Sequence, residues 1–374
     1  MIIVGFPGNN PSLRGSNAED FIYGNSIGTV TFNAGSDRIF GLASDDRISG
    51  DGKTIAAGFR GGDDVIQGGA GVDWIYGDAY DAQNDSQGSL YGWGGNDVLY
   101  QNAAAYDPDD PGQNSIFGGY LVGDAYRLEA GSHGGHDRLY GDGTLIGDSY
   151  DTMTSAKGGN DRLDATSATG AATLFGDSQG DLAGNSRGGN DQLLGGGEQD
   201  LLRGDGNTLV DTARGGNDQL HGNGGNDDLR GDGNVLVVRA VGGNDTLRGG
   251  SGDDTLYGDG SYLDDFAKGG DDRLFGQGGD DSLWGDGELL GGASGGKDRF
   301  FFSGSFGDDS ILDFRQADGD QIILQGLTQS EVQLSIVTVN AANDSLLLTT
   351  LGDDSITLVG FTGSLTPGVD IVFA

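Results

Sequence analysis

The sequence predicts an all-β solenoid of parallel strands. Three observations carry that prediction: a nine-residue repeat that holds its register, an aspartate and an apolar residue at fixed places within it, and 76 glycines among 374 residues. Self-similarity at a short period marks a chain whose units bury their apolar side chains only by stacking on their neighbours. From residue 186 the units SRGGNDQLL, GGGEQDLLR, GDGNTLVDT, ARGGNDQLH, GNGGNDDLR and GDGNVLVVR follow without insertion, and the series continues to ASGGKDRFF. Most units place an aspartate sixth and an apolar residue eighth. Glycines before the aspartate permit positive φ and leave turn carbonyls unobstructed, and the single apolar residue turns inward from a short strand.

The same frame recurs upstream with wider spacing, so the repeat spans about residues 13–300. Its aspartates are the candidate metal ligands: Asp37, Asp46, Asp64, Asp73, Asp97, Asp137, Asp161, Asp191, Asp200, Asp218, Asp227, Asp245, Asp254, Asp272, Asp281 and Asp298. With consensus G-G-x-G-x-D-x-apolar-x, these units closely resemble the RTX, or haemolysin-type calcium-binding, repeat family. The resemblance implies a parallel β-roll or β-helix in which six residues turn, three form a strand, and multiple calcium ions sit between successive turns. The chemistry agrees, because calcium takes six to eight oxygens and stacked turns offer carbonyls and carboxylates together. Rows of like charges repel, so without a divalent cation the turns should separate.

Every third nonapeptide departs from the consensus. Units starting at Gly50, Gly123, Gly141, Gly204, Gly231, Gly258 and Gly285 carry Ile55, Leu128, Ile146, Leu209, Leu236, Leu263 and Leu290 in sixth place. Their aspartates stand second, as Asp51, Asp124, Asp142, Asp205, Asp232, Asp259 and Asp286. The full period is therefore 27 residues, two calcium-type units and one variant. In a two-sided roll the variants would interrupt both edges, and their aspartates would serve as substitute ligands. In a three-sided helix they would stack along one edge and leave two unbroken calcium rows. The family resemblance favours the two-sided roll.

The organisation expected is a lead-in at 1–14, a roll at 15–292 and a β cap with its own core at 293–374, where glycine falls and β-branched and aromatic residues rise. The stretch RFFFSGSFGDDSILDF and the ending DIVFA resemble the C-terminal region of RTX proteins exported by type I secretion. That likeness implies the type I apparatus as a partner and a secreted, extracellular or cell-surface location. No leader with a basic start and a long apolar core is visible, and no apolar run reaches the roughly 20 residues of a membrane span.

Fifty-eight acidic against 20 basic side chains give a formal charge of −38, so nucleic acid and other polyanions are not expected partners. Cysteine is absent, which removes disulfides and thiolate chemistry. His133 and His136 lie in a repeat turn and His221 at a ninth position filled elsewhere by arginine or tyrosine, all without a zinc spacing, and paired aspartates such as Asp271-Asp272 recur in register, as ligands do and a unique active site does not. No enzyme is expected. Trp74, Trp93 and Trp284 fall at outward positions, leaving a glycan or cell-surface partner open. The function expected is calcium-dependent folding outside the cell; the alternative is an adhesin, surface-layer or host-interaction protein using the solenoid as scaffold.

Overall fold

In a triplet such as Asp228-Leu229-Arg230 the middle side chain is fully buried and its neighbours are not, which is the alternation of a strand with one face on a core. The computed structural model describes residues 1–6, 8, 12–80, 89–100, 119–340, 343–350, 354–361 and 363–374. Within them such triplets assemble into three long sheets, here A with 15 strands, B with 13 and C with 10. One coil runs from Gln219–Gly224 in B to Asp228–Arg230 in A and Gly233–Leu236 in C, and the next begins at Thr246–Ser251 in B. All neighbours in the stack are parallel: Leu220 pairs with Leu247, Leu229 with Leu256, and Leu236 with Leu263, each one coil of 27 residues on.

The parallel all-β solenoid expected from the sequence is present, but the preference for two sides is corrected. Units of one type stack directly on each other, and most variant units form sheet C. The reason lies in the cores. Inward residues of A and B, such as Leu220, Leu229, Leu247 and Leu256, share one continuous apolar core. Those of C, including Ile55, Leu128, Leu209, Leu236 and Leu263, form a second core of their own. The chain enters sheet C through Gly204-Asp205 and leaves it through Gly215-Gly216.

Sheet C starts at Thr29–Val30 and stops at Glu288–Leu289, whereas A and B continue. Arg299–Ser303, Gln321–Gln325 and Ile371–Phe373 extend B, and Asp308–Ile311 extends A. Phe300, Phe302, Ile311, Ile322 and Leu324 belong to the same core as the repeats, so among the described residues the C-terminal segment shows no separate core. Sheet A ends in an antiparallel hairpin, Val332–Asn340 with Asn343–Thr350, against Ser355–Leu358. At the other end Ile2–Val4 and Leu13–Arg14 already pair into A and B.

Stacking at the entrance to sheet C requires glycine by close approach. A Cβ on Gly204 would lie 1.7 Å from the Gly231 carbonyl oxygen and 2.2 Å from Asp218 Oδ2, whereas one on Gly197 meets nothing within 4 Å. Gly204→Ala should therefore lower stability in calcium by about 1–3 kcal/mol or more, and Gly197→Ala should stay within about 0.5 kcal/mol of the parent. Denaturant unfolding of both variants checks this; equal losses would contradict it.

Candidate metal centre

The candidate ligands separate into two rows. Asp37, Asp64, Asp97, Asp137, Asp161, Asp191, Asp218, Asp245, Asp272 and Asp298 precede the strands of sheet B, one per coil, and Asp320 extends them. Asp46, Asp73, Asp200, Asp227, Asp254 and Asp281 precede strands of sheet A, and Asp309 follows. Row A is broken where Gly119, Gly143 and Ala172 take the place of aspartate, so the two unbroken rows expected of a three-sided helix are reduced to one.

Each row is built by one repeated bond. Oδ1 of an aspartate accepts the backbone N–H of the aspartate one coil earlier: Asp191 N–H to Asp218, Asp218 to Asp245 and Asp245 to Asp272, each at 2.7 Å. In row A, Asp200 N–H donates to Asp227 at 2.7 Å and Asp227 N–H to Asp254 at 2.8 Å. The bond turns the second oxygen inward. From Asp64 through Asp298, nine consecutive row-B aspartates hold a buried Oδ2 with no hydrogen-bond partner. Buried carboxylate oxygens are rarely left so, and a series of them calls for protons or a cation.

A third row faces row B across the entrance to sheet C: Asp51, Asp78, Asp124, Asp148, Asp177, Asp205, Asp232, Asp259, Asp286 and Asp313. Asp205, Asp232 and Asp259 each accept the N–H of the second glycine of the returning turn, at 2.8–2.9 Å. Successive carboxyls of this row also meet, Asp177 with Asp148 and Asp205, and Asp232 with Asp205 and Asp259. Two ionised carboxylates have no proton to share, so such contacts need a proton or a cation between them. Carboxylate oxygens of Asp78, Asp97 and Asp124 lie within 4.8 Å of one another, as do those of Asp124, Asp137 and Asp148. That spacing suits oxygens on opposite sides of an ion with bonds of about 2.4 Å.

Electrostatics agree. Burial, followed by neighbouring carboxylates, pushes Asp97, Asp205 and Asp259 well above the usual carboxylate range. Burial also raises Asp73, Asp227 and Asp254 to about 7 and Asp309 to about 8.

The ends of the rows carry their own donors. Asn25 Nδ2 reaches Asp51 Oδ1 at 2.8 Å and Asp37 Oδ2 at 3.0 Å. At the other end Arg315 Nη1 lies 2.6 Å from Asp286 Oδ2, and the Arg315 N–H donates to Asp320 Oδ2 at 2.7 Å. The first and last coils thus receive an amide and a guanidinium where the interior coils present bare oxygens.

Six segments, residues 33–52, 60–79, 89–100, 212–234, 238–261 and 266–288, match the family model of the RTX calcium-binding nonapeptide repeat, four copies. These segments of the solenoid are RTX calcium-binding repeats. No curated protein matches the chain. RTX repeats bind calcium, and the oxygen-only donor set of the three rows, with its unpartnered buried oxygens, fits that ion. Between residues 119 and 211, which no matched segment covers, Asp137, Asp161 and Asp191 keep the RTX row intact.

One sequence assignment moves. Asp142 stays out of the third row because Thr144–Ile146 belongs to sheet A, which makes Gly147-Asp148 the entrance of that coil. Asp78, Asp148, Asp177, Asp309, Asp313 and Asp320 went unassigned, as did the end donors Asn25 and Arg315. The third row was legible in a local signal: a Gly-Asp pair begins two residues after the inward apolar residue of an A strand, as in Ile75-Tyr76-Gly77-Asp78 and Leu174-Phe175-Gly176-Asp177. No histidine joins the carboxylate groups among the described residues. His136 Nδ1 instead accepts the Asn160 N–H at 2.6 Å in an exposed ladder.

Without calcium, protons are the remaining way to neutralise the rows. The folded-state pKa values lie above those of the unfolded chain, so the folded form binds more protons. Its stabilisation is complete below the unfolded value of 3.8 and is lost as pH rises through about 7 to 8. In chelator the RTX chain should therefore gain β structure as pH falls from 8 towards 5, and far-UV circular dichroism measures it. A spectrum independent of pH over that range would contradict the assignment.

Proposed function

We propose that this calcium-binding repeat protein is secreted, has no catalytic activity, and folds when calcium fills the rows outside the producing cell. The observation that carries this reading is the unbroken series of unpartnered buried oxygens in row B facing the third row. Sites formed by one row-B aspartate and two from the third row, such as Asp78, Asp97 and Asp124, would hold the ions, and row A would hold others at its own corner. Calcium supplies the positive charge that lets these carboxylates remain ionised while buried. Extracellular calcium modules bind at about 10⁻⁴–10⁻³ M, so binding free energy becomes folding free energy where calcium is plentiful.

Export fits the same logic. An acidic chain whose turns repel stays unfolded while calcium is scarce, and the C-terminal likeness to type I exported proteins supports passage through that apparatus. Residues 15–292 would then be the calcium-binding part, with the export signal within 293–374. The carboxylates repeat in register along the stack, and no single coil stands out as a reaction centre.

A calcium titration followed by far-UV circular dichroism, with chelator reversal, tests the switch. Addition of calcium should convert a disordered spectrum to a β spectrum cooperatively, and chelator should restore the first. An ordered spectrum that persists in excess chelator at neutral pH would overturn it. Replacing Asp218, Asp227 and Asp245 by alanine should reduce both the number of ions bound, measured by calorimetry, and the cooperativity of folding.

A further inference from the structure

The formal charge of −38 misdescribes the outer surface. Thirty buried aspartates account for most of the acidic residues, leaving 28 acidic against 20 basic side chains elsewhere, a net of −8. What remains is distributed unevenly. Where the chain returns from sheet C to B, residues stack one per coil in the order Lys157, Arg187, Arg214, Val241, Lys268, Ser294 through single parallel bridges. The four cations of this edge are exposed, and none has an ion-pair partner among the described residues. The outer face of sheet B continues the charge with Arg162, Arg248, Arg273 and Arg299, and Lys297 lies between. Over residues 157–299 the acidic residues at these outward places are Asp164, paired with Arg162, and Asp271. Asp211 and Asp265 border the strip on the sheet C side.

We propose that this edge binds an extended anionic polysaccharide lying along the solenoid axis. Stacked strands lie about 4.8 Å apart, so Lys157, Arg187 and Arg214 follow at that spacing and Lys157 to Lys268, four coils on, spans roughly 19 Å. Like charges held in file repel each other, and a line of them without counter-charges on the protein matches a ligand that brings one anion after another. Beside them runs a second file of exposed side chains, Asn160, Asn190, Asn217 and Asn244, in which each Oδ1 accepts the next coil's N–H at 2.6–2.8 Å. The side-chain amides of Asn190 and Asn217 also donate to the preceding Oδ1, at 3.3 and 3.0 Å, which leaves the second N–H of each of these amides for a ligand. Cations and amide donors in parallel files suit a polymer of anionic and hydroxyl oxygens. The file from Lys157 to Ser294 itself carries no aromatic residue for the base stacking that single-stranded nucleic acid needs; aromatic side chains lie beyond it, at His133 and Trp93 before Lys157 and at Phe266 beside Lys268. The proposal rests on the calcium-filled rows above, since an uncompensated interior would oppose any anion.

The full chain in saturating calcium is titrated with dextran sulfate, uncharged dextran of the same length, and a single-stranded DNA of matched charge. Dextran sulfate should bind, and dextran should not. Four cations engaged predict about a 50-fold loss of affinity between 50 and 200 mM salt. Charge reversal at the edge (K157E, R187E, R214E and K268E together) should lower affinity at least about 100-fold. R38E, exposed on sheet B four strands before that of Arg162 in the stack, should change it less than about threefold. If the fourfold variant fails to give the calcium-dependent β spectrum, R187Q and R214Q singly should each weaken binding about fivefold. Unchanged affinity in the edge variants, equal binding of dextran, or tighter binding of DNA would each overturn the proposal. Calcium-dependent folding without dextran sulfate binding rejects the edge alone, whereas failure to fold with calcium rejects the reading beneath it.

Discussion

The hydrogen bond from the N–H of one aspartate to Oδ1 of the aspartate a coil further on recurs from Asp37 to Asp320 without a break. It sets the rise and register of the coils and spends one oxygen of each carboxylate on the backbone. The other oxygen is left pointing into the narrow passage between the two cores. Asparagine would keep the bond and lose the charge; a longer side chain would not fit the space that glycine leaves. The geometry that stacks the turns and the geometry that gathers anions are therefore the same.

Two thin cores follow from this arrangement, beside a smaller apolar cluster of Tyr23, Tyr76, Tyr80, Val122, Ile146 and Phe175. Each strand contributes about one inward apolar residue, Leu229 to the A/B core or Leu236 to the C core; row B and the third row run between them, and row A lies at the turn from sheet B to sheet A. Neither core is wide enough for buried charge to be incidental. Unpaired buried carboxylates disfavour the folded state strongly, and neutralising them releases that opposition along the whole stack at once. Coupling between adjacent coils makes cooperative folding the natural outcome of cation binding. The amide of Asn25 and the guanidinium of Arg315 show the same need met by the chain itself at the two ends.

Separation of charge between inside and outside also changes what the composition means. A chain that reads as a polyanion presents a surface close to neutral once the rows are compensated, with a file of four cations along one edge. Net charge describes the unfolded chain well and the folded surface poorly, because the repeat sorts acids and bases by position: aspartate into the turns that face inward, lysine and arginine into places that face out.

Period, strand placement and most residues of the acidic rows were legible because they depend on local chemistry. Glycines allow the turns, the aspartate stands at a fixed distance before the strand, and the single apolar residue marks its inward face, so Asp218 and Leu220 needed no knowledge of the rest of the molecule. Three matters depended on contacts between coils. The variant units form their own sheet because a second core and a glycine passage separate them from the first, and pairing 27 residues apart decides this rather than any single unit. The assignment of Asp148 in place of Asp142 required knowing which sheet receives Thr144–Ile146, since both lie in Gly-Asp pairs. The C-terminal segment looked like a separate cap because its composition changes, yet Phe300 and Ile322 carry on the same core. Sequence alone determined the unit and its chemistry; only the stack decided which units share a wall, because strand neighbours in a solenoid are chosen by burial across a full coil.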